Sequence, residues 1–352
     1  MFAKLLRSIV IGLVVAGILL AALPVLRSAN NIFASKSENT SDQTPASYNT
    51  GVRRAAPAVV NIYNRNISGA TNVLSLGSGV IMNDRGYIIT NRHVIKDAQQ
   101  ITAVLQDGRR YEALLVGSDS LTDLAVLKID PGNLPVIPIN TARPARIGDV
   151  ALAIGNPYNL GQTVTQGIIS ATGRISLSTT GRQTFLQTDA SINRGNSGGA
   201  LVNSLGELMG INTLTYDKIT DGETPEGLGF AIPVELATKI MDKLIRDGRV
   251  IRGYFGIQGK EIIPVRTSAT GIDRLQGIIV TEITPNGPAA NAGFRINDII
   301  INVDNKPAVS VLETMDQVAE IRPGTEIPVV VLRDGQRITL HMAVGEFPED
   351  NN

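Results

Sequence analysis

The pattern of apolar and polar positions changes character three times along the chain. From Ser8 to Leu26 it is an uncharged, almost wholly apolar run, flanked by Lys4, Arg7 and Arg27. At the helical rise of about 1.5 Å per residue the run spans roughly 28 Å, close to the thickness of a bilayer core. A cleavable leader has a shorter apolar region ending in a small-residue site; here Arg27 follows directly. Residues 1–27 are therefore expected to form a retained, single-pass transmembrane helix, with a cleaved leader as the alternative. Lys4, Arg7 and the amino terminus outweigh Arg27, so the N-terminus should be cytoplasmic. The rest of the chain then lies outside the inner membrane, in the periplasm if the cell is Gram-negative. Residues 28–50 are rich in Ser, Asn, Thr and Asp without apolar periodicity. They read as a flexible linker, with a reach of roughly 25–30 Å.

From residue 51 to 250 the pattern is that of short strands separated by turns. Gly79–Met82 and Tyr87–Thr90, joined at Asn83-Asp84-Arg85-Gly86, predict a hairpin, and so do Ala103–Gln106 and Tyr111–Val116 around Asp107-Gly108. Further strands are expected at Leu124–Ile129, Val150–Ile154, Thr163–Ile169, Thr184–Thr188, Leu201–Val202 and Leu208–Thr213. Such spacing predicts a barrel or sandwich. The period then becomes helical: Ala237, Ile240, Met241, Leu244 and Ile245 share one face, between Pro233 and a terminating Gly248. A second domain, 251–352, has strands expected at Tyr254–Ile257, Gly277–Ile283, Asp298–Val303, Ile327–Leu332 and Arg337–Val344, with helices at Pro288–Ala292 and Leu312–Ile321.

Composition narrows the chemistry. The 352 residues are 43% hydrophobic and 18% charged, enough apolar content for packed cores, and 32 basic residues balance 32 acidic ones. No long basic run points to nucleic acid. Without cysteine there is no disulfide, thiol nucleophile or Cys-based zinc site, and two histidines 248 positions apart do not suggest a metal centre. No cofactor motif such as a P-loop occurs.

The chemistry-bearing residues follow the order His93, Asp123, Ser197. Ser197 sits in Gly195-Asn196-Ser197-Gly198-Gly199, His93 in Thr90-Asn91-Arg92-His93-Val94, and Asp123 opens the strand Leu124–Ile129. Histidine, aspartate, serine is the chain order of a chymotrypsin-like double β-barrel; subtilisins and α/β-hydrolases differ. The glycines let the backbone turn sharply, so that the amides of Gly195 and Ser197, in the loop with Asn196, could converge on an oxyanion. His93 is the only base upstream of Ser197, and Asp123 would orient it. Asp119 competes for that role but reads as part of a turn, Gly117-Ser-Asp-Ser120; Asp189 reads as structural. Gly195-x-Ser197-x-Gly199 also spells a nucleophile elbow, which requires a histidine after the serine. The only one is His341, in the second domain. Asn212, Thr213 and Leu214 follow as substrate-pairing candidates, and Ser191 with Ile192 as lining for a small aliphatic pocket.

Together with Ile154-Gly-Asn-Pro-Tyr158 and Gly229-Phe-Ala-Ile-Pro233, these motifs resemble the HtrA family of serine proteases over about residue 55 to the end. The resemblance implies a serine endopeptidase followed by an α+β PDZ domain. Gly253-Tyr254-Phe255-Gly256-Ile257 is similar to the PDZ carboxylate-binding loop, with Met315 and Val318 as candidate groove residues. One PDZ domain and a short segment 67–76 at the family's insertion site imply its membrane-tethered, regulatory branch. In that branch C-terminal peptides of misfolded outer-membrane proteins gate cleavage of a membrane-spanning anti-sigma factor. Arg174 would report PDZ occupancy to the oxyanion loop, and the chain would form a homotrimer. A soluble quality-control protease and a PDZ binding module with an inert barrel are the competing readings.

Overall fold

The computed structural model describes residues 7, 10–17, 47–66, 73–174, 184–213, 227–262 and 276–348. It divides into two units, Met1–Tyr48 and Asn49–Asn352. In the first unit, residues 10–17 are helical, with Val10, Ile11, Leu13, Val14 and Val15 exposed. Among the described residues no helix is long and apolar enough to cross a membrane. Most of the apolar run 8–26 and of the linker 28–50 lies outside the described residues. Asn49 and Thr50, read as linker, already belong to the helix Asn49–Ala55.

Among the described residues, thirteen strands build the larger, N-terminal domain. The first seven are β1 Val59–Asn66, β2 Val73–Ile81, β3 Tyr87–Asn91, β4 Gln100–Val104, β5 Arg110–Glu112, β6 Leu114–Asp119 and β7 Leu124–Lys128. They pair in the order β5-β4-β1-β2-β3-β7-β6. The strand expected at 111–116 is two strands: β5 pairs with β4, and β6 with β7. Ala113, between them, turns its amide to Ile101 and its side chain into the core. Because β5 and β6 are opposite edges of one sheet and are joined through Ala113, the sheet must curl on itself. The covalent chain closes it. Its interior is packed with Val60, Ile62, Ile81, Ile88, Ala125 and Leu127.

The next six strands are β8 Val150–Gly155, β9 Thr163–Arg174, β10 Phe185–Thr188, β11 Ala200–Val202, β12 Leu208–Thr213 and β13 Gly229–Pro233. They close by hydrogen bonds into a barrel, β10-β13-β12-β11-β8-β9. The helix Val234–Asp247 follows and buries Val234, Ala237, Ile240 and Leu244. It ends where Gly248 turns left-handed, φ 73°, and returns its amide to the Leu244 carbonyl.

The C-terminal domain has β14 Gly253–Tyr254, β15 Ile257–Glu261, β16 Ile278–Ile283, β17 Ile299–Val303, β18 Lys306–Pro307, β19 Glu326–Arg333, β20 Gln336–Ala343 and β21 Gly345–Glu346. Helices Pro288–Asn291 and Val311–Ala319 complete it around a core of Phe255, Val280, Phe294, Ile300, Val318 and Val329. The strand expected at 254–257 is interrupted, because Gly256 takes φ 80°. The linkage to the larger domain is polar. Lys239 and Lys243 reach Glu320 at 2.9 and 3.0 Å, and Arg252 reaches Asp119 through two bonds of 2.7 Å.

Candidate active site

Strand register brings the histidine and the aspartate together. Asn91, the last residue of β3, stands opposite Leu124, the first of β7. Asp123 therefore lies beside the short helix Arg92–Ile95 that carries His93. The His93 amide donates to Asp123 Oδ1 at 3.0 Å, and its ring Nδ1 lies 2.6 Å from Oδ2. A proton held on Nδ1 by the carboxylate leaves Nε2 as the unprotonated, basic nitrogen.

Asp123 has φ 55°, a left-handed conformation that costs a non-glycine residue about 1–2 kcal/mol. Its carbonyl is gripped by the Arg92 amide at 2.8 Å and by Asn91 Nδ2 at 3.0 Å. Asn91 is fully buried. Sequence reasoning quoted it only as part of a motif; its pairing with the residue before Leu124 is visible only once β3 and β7 are in register.

The serine sits on a turn tight enough to require glycine. The Asn196 amide donates to the Asn193 carbonyl at 2.9 Å, with Gly195 third in the turn at φ 99°. Arg194 keeps a negative φ, so the turn is of type II. A Cβ on Gly195 would meet the Asn156 carbonyl oxygen at 2.2 Å, and one on Gly198 would meet the Ser78 carbonyl oxygen at 2.1 Å. The Tyr158 amide donates to the Arg194 carbonyl at 3.1 Å. Peptide planarity then turns the Gly195 N–H to the opposite side, away from Tyr158. Among the described residues Ser197 Oγ, which is buried, has no hydrogen-bond partner, and neither has either polar atom of the Asn196 side chain. The acid–base pair is thus assembled while the base–nucleophile bond is not.

Several expected assignments move. Asp119 is not in a turn: it ends β6, is buried, and accepts from the Thr122 amide at 3.1 Å and hydroxyl at 2.5 Å while paired with Arg252. Asp189 Oδ1 accepts from the Ile168 amide at 2.7 Å, a structural bond as expected. Asn212 cannot pair with a substrate backbone. Its amide already donates to the Gly199 carbonyl and its carbonyl accepts from the Gly198 amide, both at 2.9 Å, and Nδ2 donates to Ala200. It braces the serine turn instead. Thr213 is buried beside it; Leu214 lies outside the described residues. Ser191 is exposed, its carbonyl accepting from Thr165 Oγ1 at 2.7 Å. Ile192 faces the second barrel's core with Ile169, Leu186 and Ala231, so it packs rather than lines an open pocket. Arg174, at the end of β9, donates from Nε to Gln187 Oε1 at 3.0 Å.

In the C-terminal domain, the Phe255 carbonyl accepts from Ala289 and that of Gly256 from Thr284. Tyr254 hydrogen-bonds Thr284 Oγ1 at 2.7 Å and stacks edge-on with Phe347. Ile257 starts β15, an edge strand of its sheet. Met315 and Val318 belong to the domain core, so neither offers an open groove wall. Among the described residues no three His, Asp or Glu side chains gather as metal ligands would.

Comparisons with known proteins agree with this anatomy. Residues 77–211 match the trypsin-like peptidase domain model and 253–344 the PDZ domain model. The chain is 69% identical to the serine endoprotease DegS of Escherichia coli K12, covering all of both chains. It is 63% identical to the crystal structure of the serine endoprotease from Yersinia pestis, with a TM-score of 0.73 over 87% of this chain and all of that one. The HtrA-type protease AlgW, solved with a decapeptide, is 44% identical with a TM-score of 0.77, over 87% of this chain and all of that one. The chain belongs to the HtrA family of serine proteases and is a DegS-like serine endoprotease with a trypsin-like domain and one PDZ domain.

Proposed function

We propose that Ser197 is the nucleophile, His93 the general base and acid, Asp123 its orienting partner, and the Gly195 and Ser197 amides the oxyanion donors. The observation that carries this reading is the 2.6 Å contact between His93 and Asp123, in the same domain as the glycine turn at Gly195 that presents Ser197. Ser197 Oγ adds to the scissile carbonyl carbon as its proton passes to His93 Nε2, and the carbonyl oxygen becomes an oxyanion. Collapse breaks the C–N bond as His93 returns the proton to the leaving amine. Water then repeats the sequence on the acyl-enzyme, with His93 first taking and then returning a proton. Exposed Ser191 flanks the substrate, and buried Thr213 supports the strand behind it.

The same reading extends to control. The PDZ loop Tyr254–Ile257 captures a free C-terminal carboxylate, and β15 pairs with the peptide behind it. The ligands are C-terminal peptides of misfolded outer-membrane proteins, and the substrate is a membrane-spanning anti-sigma factor. Two observations support coupling: the Arg252–Asp119 bonds tie the PDZ entry to the residues just before Asp123, and Ser197 Oγ rests without His93. Arg174 relays occupancy toward the oxyanion loop through Gln187. The exposed apolar side chains of residues 10–15 suit a membrane anchor, and exposed Tyr158 and Leu160 suit burial in a homotrimer.

The test is cleavage of the anti-sigma factor by the full chain in detergent micelles. Peptides ending in a free hydrophobic carboxylate should stimulate wild type strongly, and Ser197→Ala should be inactive with its melting temperature nearly unchanged. Retained turnover in Ser197→Ala would remove Ser197 from the mechanism; equal rates with and without peptide would remove the gate. Intact mass of the cellular protein separates the anchor from a cleaved leader.

A further inference from the structure

Ser78 lies on β2, in the half of the protease domain that does not carry Ser197, and is fully buried. Its hydroxyl donates to the Gly195 carbonyl at 2.6 Å and accepts from the Asn156 amide at 3.1 Å. Its own amide donates to the Ser197 carbonyl at 2.8 Å, and its carbonyl accepts from Thr90 Oγ1 at 2.7 Å. Every polar group of this one residue is therefore committed, and two of the four bonds end on the turn that holds the nucleophile.

We infer that Ser78 is a positioning residue for the oxyanion hole. This rests on the assignment of Ser197 as nucleophile. The Gly195 and Ser197 amides can act together only while the Gly195–Asn196 peptide between them keeps its orientation. Ser78 holds that peptide by its carbonyl, from the far side, and the Tyr158 amide holds the preceding carbonyl, that of Arg194. A type II turn converts to type I by rotating its central peptide, and that rotation here would bring the Arg194 carbonyl round to where the Gly195 N–H had pointed. With Ser78 bonded to the next carbonyl along, the rotation must strain or break a buried hydrogen bond. Ser78 also fixes the relation between the two halves. Its carbonyl is tied to Thr90, three residues before His93, so the base and the oxyanion turn share one anchor.

The sequence offered no sign of this. Ser78 stands in Gly77-Ser78-Gly79-Val80, an ordinary strand pattern, and the partners of its hydroxyl are more than 75 positions away.

The test compares Ser78→Ala and Ser78→Cys with wild type in the full chain, on a flexible reporter polypeptide with activating peptide present, at a temperature where circular dichroism shows each variant folded. Affinity for a peptidyl boronate, which mimics the tetrahedral oxyanion, is measured beside affinity for an uncleaved product peptide. For Ser78→Ala, kcat should fall about 10²-fold, the loss expected for one misplaced oxyanion donor, with KM nearly unchanged. Boronate affinity should fall in parallel and product affinity should hold. Ser78→Cys keeps the shape and a weak donor and should recover part of kcat. The inference is overturned if Ser78→Ala stays within threefold of wild type, if the loss appears in KM, or if boronate and product affinities fall together. Should Ser78→Ala not fold, the Ser78→Cys comparison decides by the same criteria. Ser197→Ala runs in parallel: if it still cleaves, the nucleophile assignment fails, and if it is dead while Ser78→Ala is normal, only the role of Ser78 fails.

Discussion

Replacing Asn91 isolates the geometry of the triad carboxylate from its chemistry. Asn91 Nδ2 donates to the Asp123 carbonyl, and Asp123 is held left-handed at φ 55°. A neutral hydrogen bond of this kind contributes about 0.5–1.5 kcal/mol net. Asn91 Oδ1 is buried without a partner among the described residues, so truncation also removes an unfavourable group. Asn91→Ala should therefore lower global stability by only about 1 kcal/mol. The Arg92 amide still grips the same carbonyl. Against a left-handed penalty of about 1–2 kcal/mol, the lost bond shifts Asp123 toward relaxed conformers that no longer meet His93 Nδ1. Since 1.4 kcal/mol is a factor of ten, losing a bond of about 0.5–1.5 kcal/mol should lower kcat about 2–13-fold with KM unchanged. Asn91→Asp is nearly isosteric but sets a carboxylate against a carbonyl and beside Asp123. Its loss should exceed that of Asn91→Ala by about tenfold or more. The assay is steady-state cleavage of a reporter polypeptide, with the pH profile of kcat recorded for each variant. Equal kcat in wild type and Asn91→Ala, or a loss confined to KM, would refute the reasoning.

Other parts of the site and frame carry their own expectations. Gly195→Ala places a Cβ 2.2 Å from the Asn156 carbonyl oxygen at φ 99°, so fluorophosphonate labelling should slow by about 10²-fold or more. Arg252→Ala removes both bonds to Asp119; basal cleavage should rise and peptide stimulation shrink, within the 5–150-fold range of ordinary allosteric coupling, and an unchanged stimulation ratio would contradict the proposed coupling. Asp298 is buried, which by itself raises its pKa, but hydrogen bonds from Arg333 and from the Arg295 amide reverse this and hold it below the ordinary value. A depressed carboxylate contributes stability above its unfolded pKa of about 3.9 and loses it as pH falls through the folded value. Urea unfolding should then show Asp298→Asn weakening the PDZ transition at pH 7, with the gap to wild type closing below about pH 4.

What the sequence made legible follows from how local each signal is. The order His93, Asp123, Ser197 and the glycines around Ser197 are read directly from the chain, and the helix Val234–Asp247 announces itself by period and by its terminating glycine. Register and depth are not local. Asp119 looked like part of a turn because Gly117 and Ser118 precede it, yet pairing with β7 draws it into the sheet, where Arg252, 133 positions later, neutralises it. Asn212 looked available to a substrate until β12 was seen to spend its backbone groups on Gly198 and Gly199. Ile192 and Met315 read as pocket residues because apolar side chains near a site serve packing and binding equally well in sequence; their burial in the two cores decides between them. The supporting residues Asn91 and Ser78 were out of reach for the same reason. Each is an unremarkable polar residue whose meaning depends on a strand neighbour.

The most direct test of the central assignment is mass-spectrometric mapping of a fluorophosphonate adduct on the full chain with a PDZ-binding peptide present. A single adduct on Ser197, abolished in His93→Ala and strongly reduced in Asp123→Ala, is the predicted result. An adduct on another residue, or labelling of Ser197 that survives loss of His93, would contradict it.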